Sequence, residues 1–292
     1  MNLIDLKRPI VVRDDFAAFI LTHGRPDNVI TLRTLRKSGY TGKVYIIIDN
    51  EDKRGDEYRK EFGADWVIEF DKKAESELFD TADTQQDRRS IVYARNASQR
   101  IAKEMGLDYM LQLDDDYTSF CYRFIHNDII KSTAIRNFDG VVDAMIKLLE
   151  DTNALTVAFS QGGDHIGGVD GSISKGILRK AMNSFFIRTN RPINFVGRIN
   201  EDVNAYVTDG SRGELFLTVT GLQLTQNQTQ KSSGGMTDIY LGLGTYTKSF
   251  YTVMMHPSSV TVSSMGNKNR RLHHSIKWDH TVPKILTGKL QK

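Results

Sequence analysis

The sequence predicts an α/β protein with a mainly parallel sheet flanked by helices. Three observations predict it. Short apolar runs of strand length alternate with amphipathic helical segments through the first 113 residues. Each run ends in a polar turn. Three consecutive aspartates, Asp114, Asp115 and Asp116, stand at the end of one such run. In open sheets of this kind, ligands bind beyond the carboxyl ends of the strands.

The elements follow in order. Phe16–Leu21 is an apolar strand that ends in the loop Thr22-His23-Gly24-Arg25-Pro26. Val29, Leu32 and Leu35 recur at near-helical spacing until Gly39. Val44–Ile48 reads as a buried strand ending at Asp49-Asn50, and a charged helix around Asp56–Phe62 leads into a strand at Trp66–Phe70. Asp71–Arg89 is polar with no clear period, which suggests a loop that is functional or disordered. Arg95–Met105 reads as a helix and Tyr109–Leu113 as the strand before the aspartates. Val141–Leu149 then reads as a helix and Leu155–Phe159 as a strand. Phe185–Ile187 is a further strand, and a helix opens at Glu201-Asp202 and runs to about Thr208. Leu215–Leu224 alternates like a half-exposed strand, and Gly244–Met255 reads as a helix stopped by Pro257. No repeat or linker divides the chain. It is expected to be one domain: residues 16–117 as a ligand-binding half, 118–265 as a second half, and 266–292 as a basic tail.

Composition excludes some classes. The chain has 292 residues, 39% hydrophobic and 26% charged, as a globular protein with a core requires. No apolar run approaches the roughly 18 residues of a membrane span, so no membrane partner is expected. The lone Cys121 rules out an intramolecular disulfide. With a charged N-terminus lacking an apolar signal core, a cytoplasmic location is expected. The net charge of +3 is small, but the last forty residues carry seven Lys and Arg against one acid, Asp279. Such a tail favours a polyanion, or is simply a solvated terminus.

Asp114-Asp115-Asp116 carries the chemistry. Adjacent carboxylates repel one another unless a cation neutralises them, and Mg²⁺ or Mn²⁺ does so with oxygen ligands and substrate phosphates. The alternative is a surface acidic turn. In an extended chain Asp114 and Asp116 share a face and Asp115 opposes them. Arg95 pairs either with a diphosphate or with an aspartate of the run, or is an ordinary residue at a helix start. Glu201-Asp202 is either a catalytic pair or a helix-dipole cap. The loop Gly162–Gly168 lacks the spacing of a P-loop. Its glycines allow close backbone approach, so Asp164 and His165 are candidates to hydrogen-bond ligand hydroxyls, or the loop is a flexible turn.

A strand followed by an Asp-x-Asp motif, the Arg95-Asn96 helix before it, and the opening strand, Thr22–Pro26 loop and Asp49-ended strand resemble the GT-A glycosyltransferases. More narrowly, Tyr93-Ala94-Arg95-Asn96, Leu113–Tyr117, Asn200-Glu201-Asp202-Val203, Gly244-Thr245-Tyr246 through Met254, and His273-His274 before Trp278 resemble the TET-associated glycosyltransferases of bacteriophages. The resemblance implies a GT-A fold that transfers a sugar from a nucleotide sugar, expected to be a UDP-sugar, to 5-hydroxymethylcytosine or a derivative in phage DNA. It implies donor contacts from Thr22, His23, Arg25, Asp49, Arg95 and Asp115. It implies Mn²⁺ or Mg²⁺ on Asp114 and Asp116, with His273 or His274 as a further ligand. Asp202, or next to it Glu201, would be the base that activates the acceptor hydroxyl. Arg179, Lys180, Arg188, Arg191 and Arg198 are candidates for DNA phosphates. Lys268, Arg270 or Arg271 would assist at the diphosphate. A nucleotidyltransferase fits poorly, because the first loop has a single glycine. A polysaccharide acceptor, or an inactive nucleic-acid-binding module with the same fold, are the other readings.

Overall fold

A computed structural model describes residues 13–82, 88–226, 236–265 and 271–283. Strand β1 (Phe16–Leu21) is buried on both faces, which is why it reads as an unbroken apolar run. Helix α1 (Ile30–Lys37) crosses to β2 (Lys43–Asp49), and α2 (Gly55–Phe62) leads to β3 (Val67–Phe70). Helix α3 (Lys72–Ser76), N-capped by the Asp71 side chain, then α4 (Val92–Glu104), return the chain to β4 (Tyr109–Asp114). The β3–β2–β1–β4 block is parallel. The strand order reverses across β1, so the crevice between the carboxyl ends of β1 and β4 is the switch point at which such sheets bind ligands.

The second half completes the sheet. Strands β5 (Tyr117–His126) and β6 (Ile129–Ala134) form a hairpin. Its two-residue loop, Asn127-Asp128, has positive φ at both positions, as a twisted hairpin requires. Helix α5 (Phe138–Thr152), capped by Asn137, precedes β7 (Thr156–Ser160). Strand β8 (Ser184–Arg188) runs antiparallel to both β4 and β7. Helix α6 (Glu201–Ser211) precedes β9 (Phe216–Gln226), which pairs parallel with β7 and then antiparallel with β5. The nine-stranded order is β3-β2-β1-β4-β8-β7-β9-β5-β6. Helix α7 (Met236–Met255) packs against a separate antiparallel pair, β10 (Val260–Met265) and β11 (Arg271–Ile276).

Two cores sandwich the sheet. Phe16, Ala18 and Ile20 face one, with Leu35, Tyr58, Phe138 and Met145. Ala17, Phe19 and Leu21 face the other, with Tyr93, Ala97, Ile101 and Val203. The period-two alternation of β1 thus serves two apolar layers rather than an apolar and a wet one.

Several expectations are corrected. The segment 71–89 is not structureless, since α3 lies within it. Helix α4 starts at Val92, so Arg95 is a turn inside it and offers no helix terminus to an anion. Helix α7 starts before Gly244. The tail is not uniformly solvated: β11 lies in it, with His274 buried. Lys268, Arg270, Lys284, Lys289 and Lys292 lie outside the described residues. Among the described residues, no helix is long and apolar enough to cross a membrane.

Candidate active site

The crevice between β1 and β4 is built by registering Leu21 against Asp114. That register sets the first residue beyond β1, Thr22, beside the aspartate turn. Thr22 donates its hydroxyl to Asp115 Oδ2 at 2.6 Å, and Arg25 pairs with Asp115 Oδ1 at 3.0 Å. Tyr58 Oη lies 3.0 Å from Thr22 Oγ1 and accepts from Arg25 N at 2.7 Å. Helix α1 clamps the turn from below. Thr31 N and Oγ1 donate to the carbonyls of Asp115 and Asp114, and Thr31 Oγ1 accepts from Tyr117 N. Thr34 donates to Tyr117 O at 2.8 Å.

The aspartate run is not one extended segment. Strand β4 ends at Asp114, and Asp115 and Asp116 form the turn into β5. Asp115 is buried, and both its oxygens are engaged by Thr22 and Arg25. It therefore organises the first loop instead of presenting a free carboxylate. Burial raises Asp115 above the usual carboxylate range, against the pull of Arg25.

Asp114 and the acid pair of α6 are joined by one side chain. Arg95, fully buried, donates Nη2 to Asp114 Oδ1 at 2.9 Å and Nε to Glu201 Oε1 at 3.2 Å. Its Nη1 is buried without a partner. The expectation that Arg95 meets a diphosphate directly is corrected: the guanidinium is spent on two carboxylates. Burial raises Asp114, Arg95 opposes this, and Asp202 adds to it. Burial and Asp202 push Glu201 up to about 7, against Arg95. Asn200, left-handed at φ 56°, turns the chain into α6, and its amide is held by Lys248 O and Thr252. Asp202 Oδ1 accepts from Val203 N at 2.8 Å and pairs with no cation among the described residues.

Asp116 stands apart. It forms no ion pair among the described residues, and burial, then Asp114 and Asp115, push its carboxyl to about 7. Among the described residues, the carboxylates of Asp114, Asp115, Asp116, Glu201 and Asp202 share this crevice with the cations Arg25, Arg95 and Lys180. Fully ionised, the cluster carries an excess of negative charge. That is the charge environment in which a divalent cation is held by oxygen ligands.

At the end of β2, Asp49 Oδ2 is 2.7 Å from His23 Nδ1 and 3.3 Å from Lys72 Nζ. Burial raises Asp49, but His23 and Lys72 outweigh it and leave the carboxyl below its usual range. Gly24 N donates to Asp52 at 2.6 Å, fixing the loop. Thr22, His23, Arg25 and Asp49 are thus brought together at one end of the crevice.

His273 and His274 are not brought onto the aspartates. Lys180 Nζ donates to His274 Nε2 at 2.7 Å, and His274 Nδ1 is buried without a partner. Burial and then Lys180 lower His273 to about 4 and His274 to about 3. Among the described residues, no group of three or more His, Cys, Asp or Glu converges as a metal site. Lys180, lowered by burial and held up by Asp202, is the residue that joins this pair to the crevice.

Asp164 and His165 lie in the turn after β7. Asp164 accepts from Gln161 N and pairs with Arg179 at 3.3 Å, so its oxygens hold the loop. His165 Nε2 lies 3.0 Å from Ser160 Oγ, which donates to Leu222 O. The suggested phosphate contacts are corrected as well. Arg179 is buried on the carbonyls of Ser172, Ile173 and Gly176. Arg188 holds Leu149 O and Asn153, Arg191 holds Glu214 and Asn153, and Arg198 is buried. Sequence reasoning missed Thr31, Tyr58 and Lys72, and named Lys180 only as a candidate for DNA phosphates. None sits in a motif, and each acts through a contact far along the chain.

No curated protein sequence matches the chain. Among solved structures, it is similar to glucosyl-3-phosphoglycerate synthase from Mycobacterium tuberculosis in complex with Mn²⁺, UDP and phosphoglyceric acid, at 8% identity and TM-score 0.45, covering 89% of this chain and 86% of that one. It is also similar to a mannosyltransferase from Pyrobaculum calidifontis in complex with GDP-Man and Mn²⁺, at 14% identity and TM-score 0.43, covering 72% and 56%. The family defined as TET-associated glycosyltransferases matches residues 16–235, which takes in β1, the aspartate turn, Arg95 and the acid pair of α6. With that span covering most of the chain, the protein belongs to the TET-associated glycosyltransferase family and is a glycosyltransferase.

Proposed function

We propose that the chain transfers a sugar from a UDP-sugar to the hydroxyl of a hydroxymethylated pyrimidine, 5-hydroxymethylcytosine or a derivative, in DNA. The observation that carries the donor side is Asp116: a half-buried carboxylate without an ion pair, beside Asp114, at the switch point of the sheet. Asp114 and Asp116 would hold Mn²⁺ or Mg²⁺ together with the donor diphosphate. The bound ion supplies Lewis-acid stabilisation of the charge that develops on the leaving diphosphate.

The chain's own residues do the rest. Thr22, His23, Arg25 and Asp49 line the nucleoside side of the crevice. Arg95 fixes Asp114 relative to the acid pair. Lys180, backed by His273 and His274, lies on the Asp202 side and offers a positive charge to the leaving group. Asp202, free of cation partners, takes the proton from the acceptor hydroxyl as that oxygen attacks the anomeric carbon. Glu201, tied to Arg95, positions. The acceptor rests on the family and on the hydroxymethyl group's projection into the major groove, where an enzyme can reach it.

The test uses purified protein, Mn²⁺ and a panel of UDP-sugars, with duplex DNA that contains 5-hydroxymethylcytosine or unmodified cytosine. Digested nucleosides are weighed by mass spectrometry. A pentose or hexose mass on the modified base alone is expected. Release of UDP with no mass added to DNA would sink the DNA acceptor and leave transfer to another hydroxyl. No turnover of any UDP-sugar would sink the donor assignment.

A further inference from the structure

Helix α6 carries Glu201 and Asp202 on its first turn, yet Asn200, the residue before it, makes no side-chain cap on it. Asn200 turns to α7 instead. Its buried amide Nδ2 donates to Lys248 O at 2.8 Å and to Thr252 Oγ1 at 3.2 Å. A carbonyl only accepts, so the contact with Lys248 O fixes which way the amide faces. Asn200 itself is left-handed, at φ 56° and ψ 38°, a conformation that asparagine tolerates better than most residues.

The loop that leads to Asn200 is held by α7 as well. Gly197 is also left-handed, at φ 76°. A Cβ there would stand 2.7 Å from Asn204 Nδ2 on α6 and 2.9 Å from the Tyr251 ring on α7. Tyr251 Oη accepts from Arg198 N at 3.1 Å and donates to Thr81 O at 2.6 Å. The loop is thus threaded between the two helices and hydrogen-bonded to α7 at both Arg198 and Asn200.

The C-terminal segment meets α6 again farther along. Asp202, Tyr206 and Gly210 stand four residues apart and share one face of the helix. The Tyr206 ring packs on Trp278, with centroids 5.6 Å apart. A Cβ on Gly210 would lie 2.1 Å from Thr281 O, so glycine is what lets the chain come this close. Lys248, Tyr251, Thr252, Trp278 and Thr281 all lie beyond residue 235, where the family match ends.

We propose that this C-terminal segment sets the place of Asp202 in the crevice, and that Asn200 is the positioning residue through which it does so. This rests on the reading of Asp202 as the base. Asn200 touches no reacting atom. Its backbone torsions fix the direction in which α6 leaves the loop, and Asp202 lies two residues on. Arg95 reaches the same turn from the other side, through Glu201. A base displaced by about 1 Å loses about 10²-fold in rate, which makes the hold on this turn matter.

The test is Asn200→Gly in the full chain. Glycine keeps the left-handed backbone at no steric cost and removes both hydrogen bonds to α7. The kcat for UDP release with hydroxymethylated DNA should fall about 10–10²-fold, with the KM for donor and for DNA unchanged. Thr252→Val removes one of the two acceptors and should lower kcat less. In the double variant it should add nothing to Asn200→Gly, because both substitutions act through one contact. An unchanged kcat in Asn200→Gly, a change confined to KM, or two losses that multiply would each overturn the proposal. If Asn200→Gly does not fold, Thr252→Val decides alone: a lower kcat at unchanged KM supports the proposal, and an unchanged kcat overturns it. Asp202→Asn, run alongside, separates the two claims. Loss of kcat there, with Asn200→Gly and Thr252→Val at wild-type kcat, would remove the positioning role and leave the base. Full kcat in Asp202→Asn, or no turnover of any UDP-sugar by wild type, would remove the base reading and this proposal with it.

Discussion

Replacing Arg95 by Met tests whether one buried guanidinium holds the site together. Arg95 is 1% exposed in its side chain, and its two partners, Asp114 and Glu201, are 20% and 11% exposed. Removing one member of a buried ion pair costs about 3–5 kcal/mol, because the carboxylates left behind keep their desolvation without their cation. Partial exposure of Asp114 lets water return to it, which places the loss near 3 kcal/mol, a large share of a typical domain's stability. Glu201→Gln in the Arg95→Met background should regain part of it, since a neutral amide needs no counter-charge. The coupling between the two substitutions should be about 1–2 kcal/mol. Urea unfolding of wild type, both single variants and the double variant measures this directly, provided the denaturant slope stays constant. A loss below about 1 kcal/mol for Arg95→Met, with coupling under about 0.5 kcal/mol, would refute the claim that Arg95 is a structural clamp.

Other outcomes follow from the same charges. Asp116→Asn should abolish metal-dependent UDP release while leaving stability unchanged or higher, because it removes a carboxylate that repels two neighbours; thermal melts beside a turnover assay check both. Asp202→Asn should lower kcat about 10²–10⁴-fold with the donor KM unchanged, and a loss confined to KM would remove Asp202 as the base. Asp209, buried at the end of α6, is pushed up to about 6 by burial. Its folded value lies above the unfolded one, so its contribution is fully present below about pH 4 and is lost as pH rises through about 6. Asp209→Asn should therefore stabilise at pH 7 by about 3 kcal/mol and do little at pH 4, as urea midpoints at the two values would show.

The parallel half was legible because β1, β2 and β4 are buried on both faces, so their sequences are unbroken apolar runs that end abruptly in polar turns. The β5–β6 hairpin was not legible for the opposite reason. From Arg123 to Ala134 nearly every residue is at least half-exposed, and Ile125 and Ile129 face solvent beside His126 and Asn127. No alternation survives to mark a strand, and only Asn127-Asp128 hints at a turn. Strand β11 was hidden because its cationic ends resemble a solvated tail, while the buried member, His274, is held by Lys180 from a loop 94 residues away. The aspartates were legible as a candidate cation site from their mutual repulsion and their place at the end of an apolar run. That Asp115 would be consumed by Thr22 and Arg25 was not, because local sequence carries no information on the register that sets β1 beside β4.

Arg95 also explains how two distant segments act as one site. Asp114 belongs to the parallel half, which in the proposed function positions the donor, and Glu201-Asp202 to the half proposed to face the acceptor. Among the described residues, no backbone hydrogen bond joins β4 to α6. Their separation is set by Arg95, rooted in α4 and fixed by Gln112, which donates to Arg95 O at 2.7 Å and to Ser98 Oγ at 2.9 Å. A planar guanidinium with two occupied edges holds both carboxylates in one geometry, which a flexible ammonium does not do. Arg95→Lys keeps the charge and loses the fork. It should keep most of the stability and still lower kcat, because the base would no longer be held in line with the anomeric carbon. A variant that lost stability and activity in proportion would show instead that Arg95 supplies charge and nothing more.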